Sequence, residues 1–262
     1  MERRLPGKGS RQHTGQRLLH ALGWLYLSIL VAVSWVFLSR AYPAVPPPQD
    51  VVKALYSDIG PRMIAHAIAV TLVNSLTGYT IALTAAIALI AGAYLNRHVD
   101  SFVHALNTFI QSVSVLVWAI VFVMIFGITS RKPPVLVAAA ASFPVLLSNL
   151  YSSVRALDDR FRLLARLLGA TKLEELYYFI LPGTIPYLAG ASRAAIGIAL
   201  RISVVAEAFG ASGGVGYWLM YSYNYGWSAG VFAWAAVLVL LMILVDILVL
   251  QQVERMVEKW KM

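Results

Sequence analysis

The chain predicts an all-α, polytopic membrane protein of about six transmembrane helices. Three observations carry that class. Sixty per cent of the 262 residues are hydrophobic and 13% are charged, and the mean hydropathy is +0.73, more apolar surface than a water-soluble globule can hide. The apolar residues gather into runs long enough to cross about 30 Å of hydrocarbon at about 1.5 Å per residue. Lys and Arg are also unevenly shared between the intervening loops.

In chain order, residues 1–20 form a basic segment that anchors the first span; with no small-residue cleavage site ahead of the Pro-rich stretch, it does not read as a signal peptide. The spans are expected near Ala21–Leu38, Leu72–Tyr94, His104–Ile128, Pro133–Tyr151, Ile185–Ala206 and Ala229–Leu250. By region, this gives a first transmembrane helix at 21–40, an external Pro-rich segment at 41–62, a transmembrane core at 63–252 and a tail at 253–262. Six crossings put both termini on one side. That side then holds 14 Lys or Arg, against Arg40, Lys53, Arg62, Arg131 and Lys132 on the other, which makes it the cytoplasm. The net charge of +9 is thereby explained without nucleic acid.

Within 156–182 lies the most informative stretch, Asp158 to Pro182, reading DDRFRLLARLLGATKLEELYYFILP. Its first helix opens at Asp158 or Asp159 and closes at Gly169, a residue suited to the left-handed cap. Thr171 and Glu174 have the spacing of a capping box for a second helix, which Pro182 is expected to limit. Phe161, Leu164 and Leu168 make an apolar stripe on the first helix, with Arg160, Arg162 and Arg166 around it. Leu173, Leu176, Tyr177 and Ile180 make another on the second. Such a hairpin either lies at the lipid headgroups or docks on a protein.

The residues of this segment resemble the cytoplasmic signature loop of binding-protein-dependent ABC importer permeases. Ala165, Gly169 and Leu181-Pro182 fall in its pattern, which begins Glu-Ala-Ala and closes Ile-x-Leu-Pro. Leu163-Leu164-Ala165 stands where Glu-Ala-Ala would, and Phe179 replaces the isoleucine. A second resemblance is VVAEAFGASGGVGYWL, Val204 to Leu219, which is similar to the end of the fifth span in permeases for nitrate, sulfonates, taurine and bicarbonate. The run PPPQDVVKAL is similar to the external segment of that family, where a proline-rich turn leads into a short helix. The third span lacks the prolines expected between Gln111 and Val121.

The resemblance implies a permease, without enzymatic activity of its own, that carries a small, anionic solute delivered by an extracytoplasmic solute-binding protein. It implies a homodimer in the cell membrane and two ABC ATPase subunits that hydrolyse ATP with Mg. The docking residues it implies are Leu163, Ala165, Gly169, Ala170, Lys172, Glu174, Leu176, Tyr177, Leu181 and Pro182. With Leu163 in place of glutamate, the ATPase contact is expected to rest on apolar packing and on the second helix.

Three polar residues are candidates for the path or gate. Arg193 and Arg201 sit within the fifth span, about 80° apart around a helix; an arginine there faces protein, water or a partner. They either attract an anionic substrate or pair with carbonyls or a carboxylate such as Glu207. Glu207 ends the span and either gates, binds the glycine-rich loop or contacts the binding protein. Asp246 is a second acid, and a proton relay through the two acids belongs to the alternative of an ion-coupled carrier. Ala191, Ala195 and Ala199, and separately Gly190, Ala194 and Ile198, form small-residue faces for close helix contact. The aromatic residues from Tyr217 to Trp227 suit an interfacial belt with a short surface helix.

No Gly-x-x-x-x-Gly-Lys-Ser/Thr loop is present, so the chain cannot cradle nucleotide phosphates itself; Gly210 to Gly216 reads as flexible or close-packed backbone. Zero cysteines exclude disulfides and thiolate chemistry. A membrane-embedded hydrolase is the weakest alternative, since His13, His20, His66, His98 and His104 lie in no metal-ligand pattern and no serine sits in a Gly-x-Ser-x-Gly elbow.

Overall fold

A computed structural model describes residues 23, 26, 29–157, 163–165 and 167–247. Among these residues every regular element is helical: α1 Ile29–Ala41, α2 Pro48–Lys53, α3 Pro61–Leu95, α4 Arg97–Ser112, α5 Val115–Phe126, α6 Lys132–Ala156, α7 Lys172–Phe209, α8 Val215–Asn224 and α9 Ser228–Val245. Four of them, α3, α6, α7 and α9, are long and apolar enough to cross a membrane, and α4 with α5 passes the same test only as a bent pair, a broken span or a re-entrant loop. Where the first span was expected, the described residues form α1, a shorter apolar helix. The basic segment 1–20, the residues Asp158–Arg162 and Arg166, the end of the last span at Leu248–Leu250 and the tail 253–262 lie outside the described residues.

Two expectations are corrected. The third span is not one helix from His104 to Ile128: α4 and α5 meet at 93°. The break needs no proline. Val113 and Ser114 are extended, and the Ser114 side chain accepts from the Leu116 N–H to start α5 afresh. Nor does Pro182 end the coupling helix, because α7 runs on through Pro182 and Pro186 for 38 residues. Just before Pro182 the backbone takes a π turn, Leu176–Ile180, in which the Leu181 N–H reaches the Leu176 carbonyl five residues back. A proline ring normally collides with the carbonyl four residues earlier; the wider turn moves that carbonyl aside.

Helix association inside hydrocarbon gains nothing from leaving water, so close packing has to supply it. The core shows how. Ala191, Ala195 and Ala199 of α7 are buried, and the first two join Ala82, Ala86 and Ile90 of α3 and Phe143, Leu146, Leu147 and Leu150 of α6 in one cluster. Gly78 permits the α3–α6 approach: a Cβ there would stand 2.8 Å from the Ala138 Cβ. Of the two small-residue faces on α7, this one serves the core, while Gly190 and Ala194 stay exposed.

A second cluster gathers around Trp234 of α9, which is 1% exposed, and takes in Val51 and Ala54 from the Pro-rich segment and Val215 of α8. The expected proline-rich turn and short helix are present as Pro46–Pro47 and α2. Trp35 of α1 donates its indole N–H to the Pro46 carbonyl at 3.0 Å and stacks on Phe232. The short aromatic helix is α8: Trp218 stacks on Trp234, whereas Tyr221, Tyr223 and Tyr225 are exposed.

Candidate functional site

At the coupling segment, the local chemistry follows the sequence. Gly169 has φ +70°, and the Ala170 N–H reaches back to the Ala165 carbonyl at 3.0 Å, the six-to-one bond that closes a helix through a left-handed glycine. The capping box is formed in full. Glu174 Oε2 accepts from the Thr171 N–H at 2.7 Å, and Thr171 Oγ1 accepts from the Glu174 N–H at 3.4 Å. The Thr171 N–H foremost, and then the Thr171 hydroxyl, which donates to Glu174 Oε2 at 2.7 Å, hold the exposed Glu174 carboxyl below its ordinary range.

The apolar residues here divide into anchors and a free surface. Ala165 is 1% exposed and Leu176 is 5% exposed; Leu176 and Ile180 pack with Leu157 against Tyr94 and Val154. Leu163, Leu164, Leu167, Leu168, Leu173, Tyr177 and Tyr178 are exposed. Lys172 and Pro182 are also exposed, and Ala170 and Leu181 are half-buried. The single stripe expected from Leu173 to Ile180 is therefore split into two pairs, each four residues apart: Leu176 and Ile180 are buried, Leu173 and Tyr177 exposed. Leu176 anchors the helix and does not present itself for docking.

The other candidates lie on the membrane part of α7. Glu207 is 1% exposed, and three donors converge on its carboxylate. Thr71 Oγ1 donates to Oε2 at 2.8 Å, Asn74 Nδ2 to Oε1 at 2.9 Å and the Gly216 N–H to Oε2 at 3.2 Å. Thr71 Oγ1 also accepts from the Val215 N–H at 2.9 Å. Two of the otherwise orphaned N–H groups at the start of α8 are thus satisfied, and α3, α7 and α8 are tied at one point.

Gly210, Gly214 and Gly216 are there for contact, whereas Gly213 is not. Gly214 has φ +105°, and a Cβ on it would collide with the Glu207 carboxylate; one on Gly216 would collide with the Val204 carbonyl. Of the readings open for Gly210 to Gly216, close-packed backbone is the one found. Sequence reasoning missed Thr71 and Asn74. Two polar residues three apart in a span, on one helix face, were the available signal.

Arg193 finds a carboxylate, but on α9: its guanidinium lies 3.6 Å from Asp246 Oδ1. Glu207 belongs to the separate cluster described above. Arg201, two turns further along α7, is exposed. The structure does not bring the three candidate path residues together.

This is a polytopic membrane protein with a capped helical turn that carries exposed apolar residues, joined by one continuous helix to a buried polar cluster. The chain belongs to the family described as the binding-protein-dependent transport system inner membrane component, whose profile matches residues 78–258. It is 25% identical over 94% of its length, and 97% of the relative's, to the formylaminopyrimidine transport permease protein ThiX of Halalkalibacterium halodurans. It is 27% identical to the taurine transport system permease protein TauC of Escherichia coli, with 90% of this chain and 85% of that one covered. To the nitrate import permease protein NrtB of Synechococcus elongatus it is also 27% identical, over 51% of this chain and 46% of the relative, so that match spans about half of either protein. The chain is the transmembrane permease subunit of an ABC importer, which decides against the ion-coupled carrier and the hydrolase.

Proposed function

We propose that the chain works as a homodimer and forms the path of a small anionic solute delivered by a solute-binding protein, the power coming from a separate ATPase that binds ATP and Mg. Both termini and the coupling segment face the cytoplasm in this reading. Leu163, Leu168, Leu173 and Tyr177 dock on the ATPase, with Lys172 and Glu174 at the rim; Glu207 holds the outer end of the path, and Arg201 lies along it. Among the relatives, permeases named for nitrate, taurine and bicarbonate support a small anionic or acid-bearing solute.

The observation that carries the docking role is the pairing of exposed leucines and tyrosines with a rigid frame. A cluster of large apolar side chains left in water marks an interaction surface, and here the Gly169 cap, the capping box and the buried anchors Ala165 and Leu176 fix its shape. Rigidity matters because a docking surface transmits motion only as far as it does not deform.

Co-purification tests this. Leu173→Asp with Tyr177→Asp is expected to abolish capture of the cognate ATPase while leaving the permease folded. Uptake driven by an ion gradient in vesicles that contain this chain alone would sink the reading.

A further inference from the structure

An apolar cavity of about 480 Å³ lies behind the coupling turn, between α3, α6 and α7. Ile87 and Ile90 line it from α3, Leu150 and Val154 from α6, and Ile185 and Leu188 from α7. The Thr184 hydroxyl in its wall already donates to the Leu181 carbonyl at 2.8 Å, so the interior has little for a polar guest. Its volume falls within the range of about 300–1,000 Å³ in which proteins hold small molecules.

Depth narrows the guest. The 25 residues of α6 make about 37 Å of helix against about 30 Å of hydrocarbon, and Leu150 and Val154 stand in its last turns. The cavity therefore lies where the hydrocarbon ends. Tyr177 and Tyr178 line its rim and are exposed, as tyrosines at headgroup depth are. Ile185 is exposed beside them, so the mouth opens sideways, towards whatever surrounds the helices.

A polar chamber adjoins it. The two share Ile90 and Val154, and the second, about 210 Å³, is lined also by Asp100, Tyr151 and Arg155. The Tyr151 hydroxyl donates to Asp100 Oδ1 at 2.9 Å and accepts from the Arg155 guanidinium at 2.6 Å. That guanidinium also lies over the Tyr151 ring, 4.5 Å from its centre. One tyrosine thus holds an anion and a cation at fixed places, and each keeps capacity beyond this bond, Arg155 as a donor and Asp100 as an acceptor. A lone phosphate would suit Arg155 and be repelled by Asp100; a lone ammonium would meet the reverse. A guest that carries both charges a few atoms apart satisfies both residues. Basic pockets between membrane helices on the cytoplasmic side are places where lipid headgroups bind.

We propose that the two chambers together hold one phosphatidylethanolamine of the cytoplasmic leaflet, with an acyl chain in the apolar cavity, the phosphate on Arg155 and the primary ammonium on Asp100. The proposal rests on the reading that the coupling segment faces the cytoplasm. Its consequence is mechanical: the chain fills the space behind Tyr177 and Tyr178, and so braces the turn that carries the docking surface.

Photolabelling tests it. The complex with its ATPase is placed in phosphatidylcholine nanodiscs containing a trace of phosphatidylethanolamine that bears a diazirine at the end of one acyl chain. After illumination, adducts are mapped by peptide mass spectrometry. They are expected to concentrate at residues 87–90, 150–154 and 185–188 over the exposed α9 face around Leu240, and to fall when Ile185→Trp narrows the mouth. Unlabelled phosphatidylethanolamine should displace the probe about tenfold better than phosphatidylglycerol, the worth of one hydrogen bond to a charged group. Asp100→Asn should erase that preference. Adducts no denser than around Leu240, as when another part of the protein covers the cavity, overturn the proposal; so does equal displacement by the two lipids, or a preference that survives Asp100→Asn. Because both leaflets are alike, the labelling is the same whichever way the chain is inserted, and its failure leaves the permease reading intact. Failure to capture the ATPase would show at assembly and overturn that reading instead.

Discussion

Thr71 Oγ1 stands 2.8 Å from Glu207 Oε2 and at the same time accepts the Val215 N–H at 2.9 Å. One hydroxyl thus relays between a buried carboxylate and the first turn of a separate helix. Thr71→Val keeps the shape and removes both bonds. It should cost about 1–3 kcal/mol, the usual penalty for leaving buried polar groups unpaired, read as a lower melting temperature of the detergent-solubilised protein. Glu207→Gln should cost a similar amount, because its new amide hydrogens would face donors.

Gly214 and Gly213 separate contact from mere flexibility. Gly214→Ala meets the Glu207 carboxylate at φ +105°, whereas a Cβ on Gly213 has Val70 Cγ1 as its nearest neighbour at 3.9 Å. Gly214→Ala should destabilise by about 1–3 kcal/mol through backbone strain alone, with the collision added. Gly213→Ala should melt within about 1 kcal/mol of the native chain. Equal melting of the two variants would refute the contact argument.

Leu173 and Leu176 sit three residues apart and should fail differently. Leu176→Ala opens a cavity against Leu157 and Tyr94 and should lose about 2–5 kcal/mol of stability. Leu173→Ala, 64% exposed, should change melting by less than about 0.5 kcal/mol yet weaken ATPase capture. Thermal melts and pull-downs on the same preparations check the pair.

Acid should loosen the coupling turn. Glu174 has its carboxyl held below the ordinary glutamate value of 4.5 by the Thr171 backbone N–H and then the Thr171 hydroxyl. A depressed folded-state value means the bond's contribution is complete above 4.5 and is lost as the pH falls through the lower, folded value. Amide exchange at Thr171, corrected for its intrinsic pH dependence, should stay protected at neutral pH and speed up below 4.5. Glu174→Gln keeps an acceptor and should flatten that profile.

The Arg193–Asp246 pair, with side chains 31% and 51% exposed, should contribute no more than about 1 kcal/mol. Asp246→Asn together with Arg193→Gln should melt close to the native protein. Arg201→Gln should slow uptake with no change in melting; undiminished transport at every solute concentration would remove Arg201 from the path.

Much of this was legible in sequence, for physical reasons that differ by region. Apolar runs announced α3, α6, α7 and α9 because span length is set by the bilayer. The Gly169 cap and the Thr171–Glu174 box were readable because their partners are three to five residues away. The bend at Val113–Ser114 was hidden, since hydropathy continues across it. Thr71 and Asn74 were hidden too: their partner Glu207 is 136 and 133 residues distant in the chain, and nothing local marks such a pairing. The π turn at Leu176–Ile180 was hidden as well, because ordinary periodicity assumes 3.6 residues per turn throughout.

That last failure has a use. Each residue advances a helix by about 100°, so the extra residue accommodated at Leu176–Ile180 sets the azimuth at which the Leu173 end stands relative to the Glu207 end. Composition and helix length say nothing about this phase. Were the turn to close into ordinary α-helix with every residue kept, Leu173 and Lys172 would swing more than a quarter-turn about its axis. The two ends would be as sound as before, but a push delivered at one would arrive at the other from the wrong side.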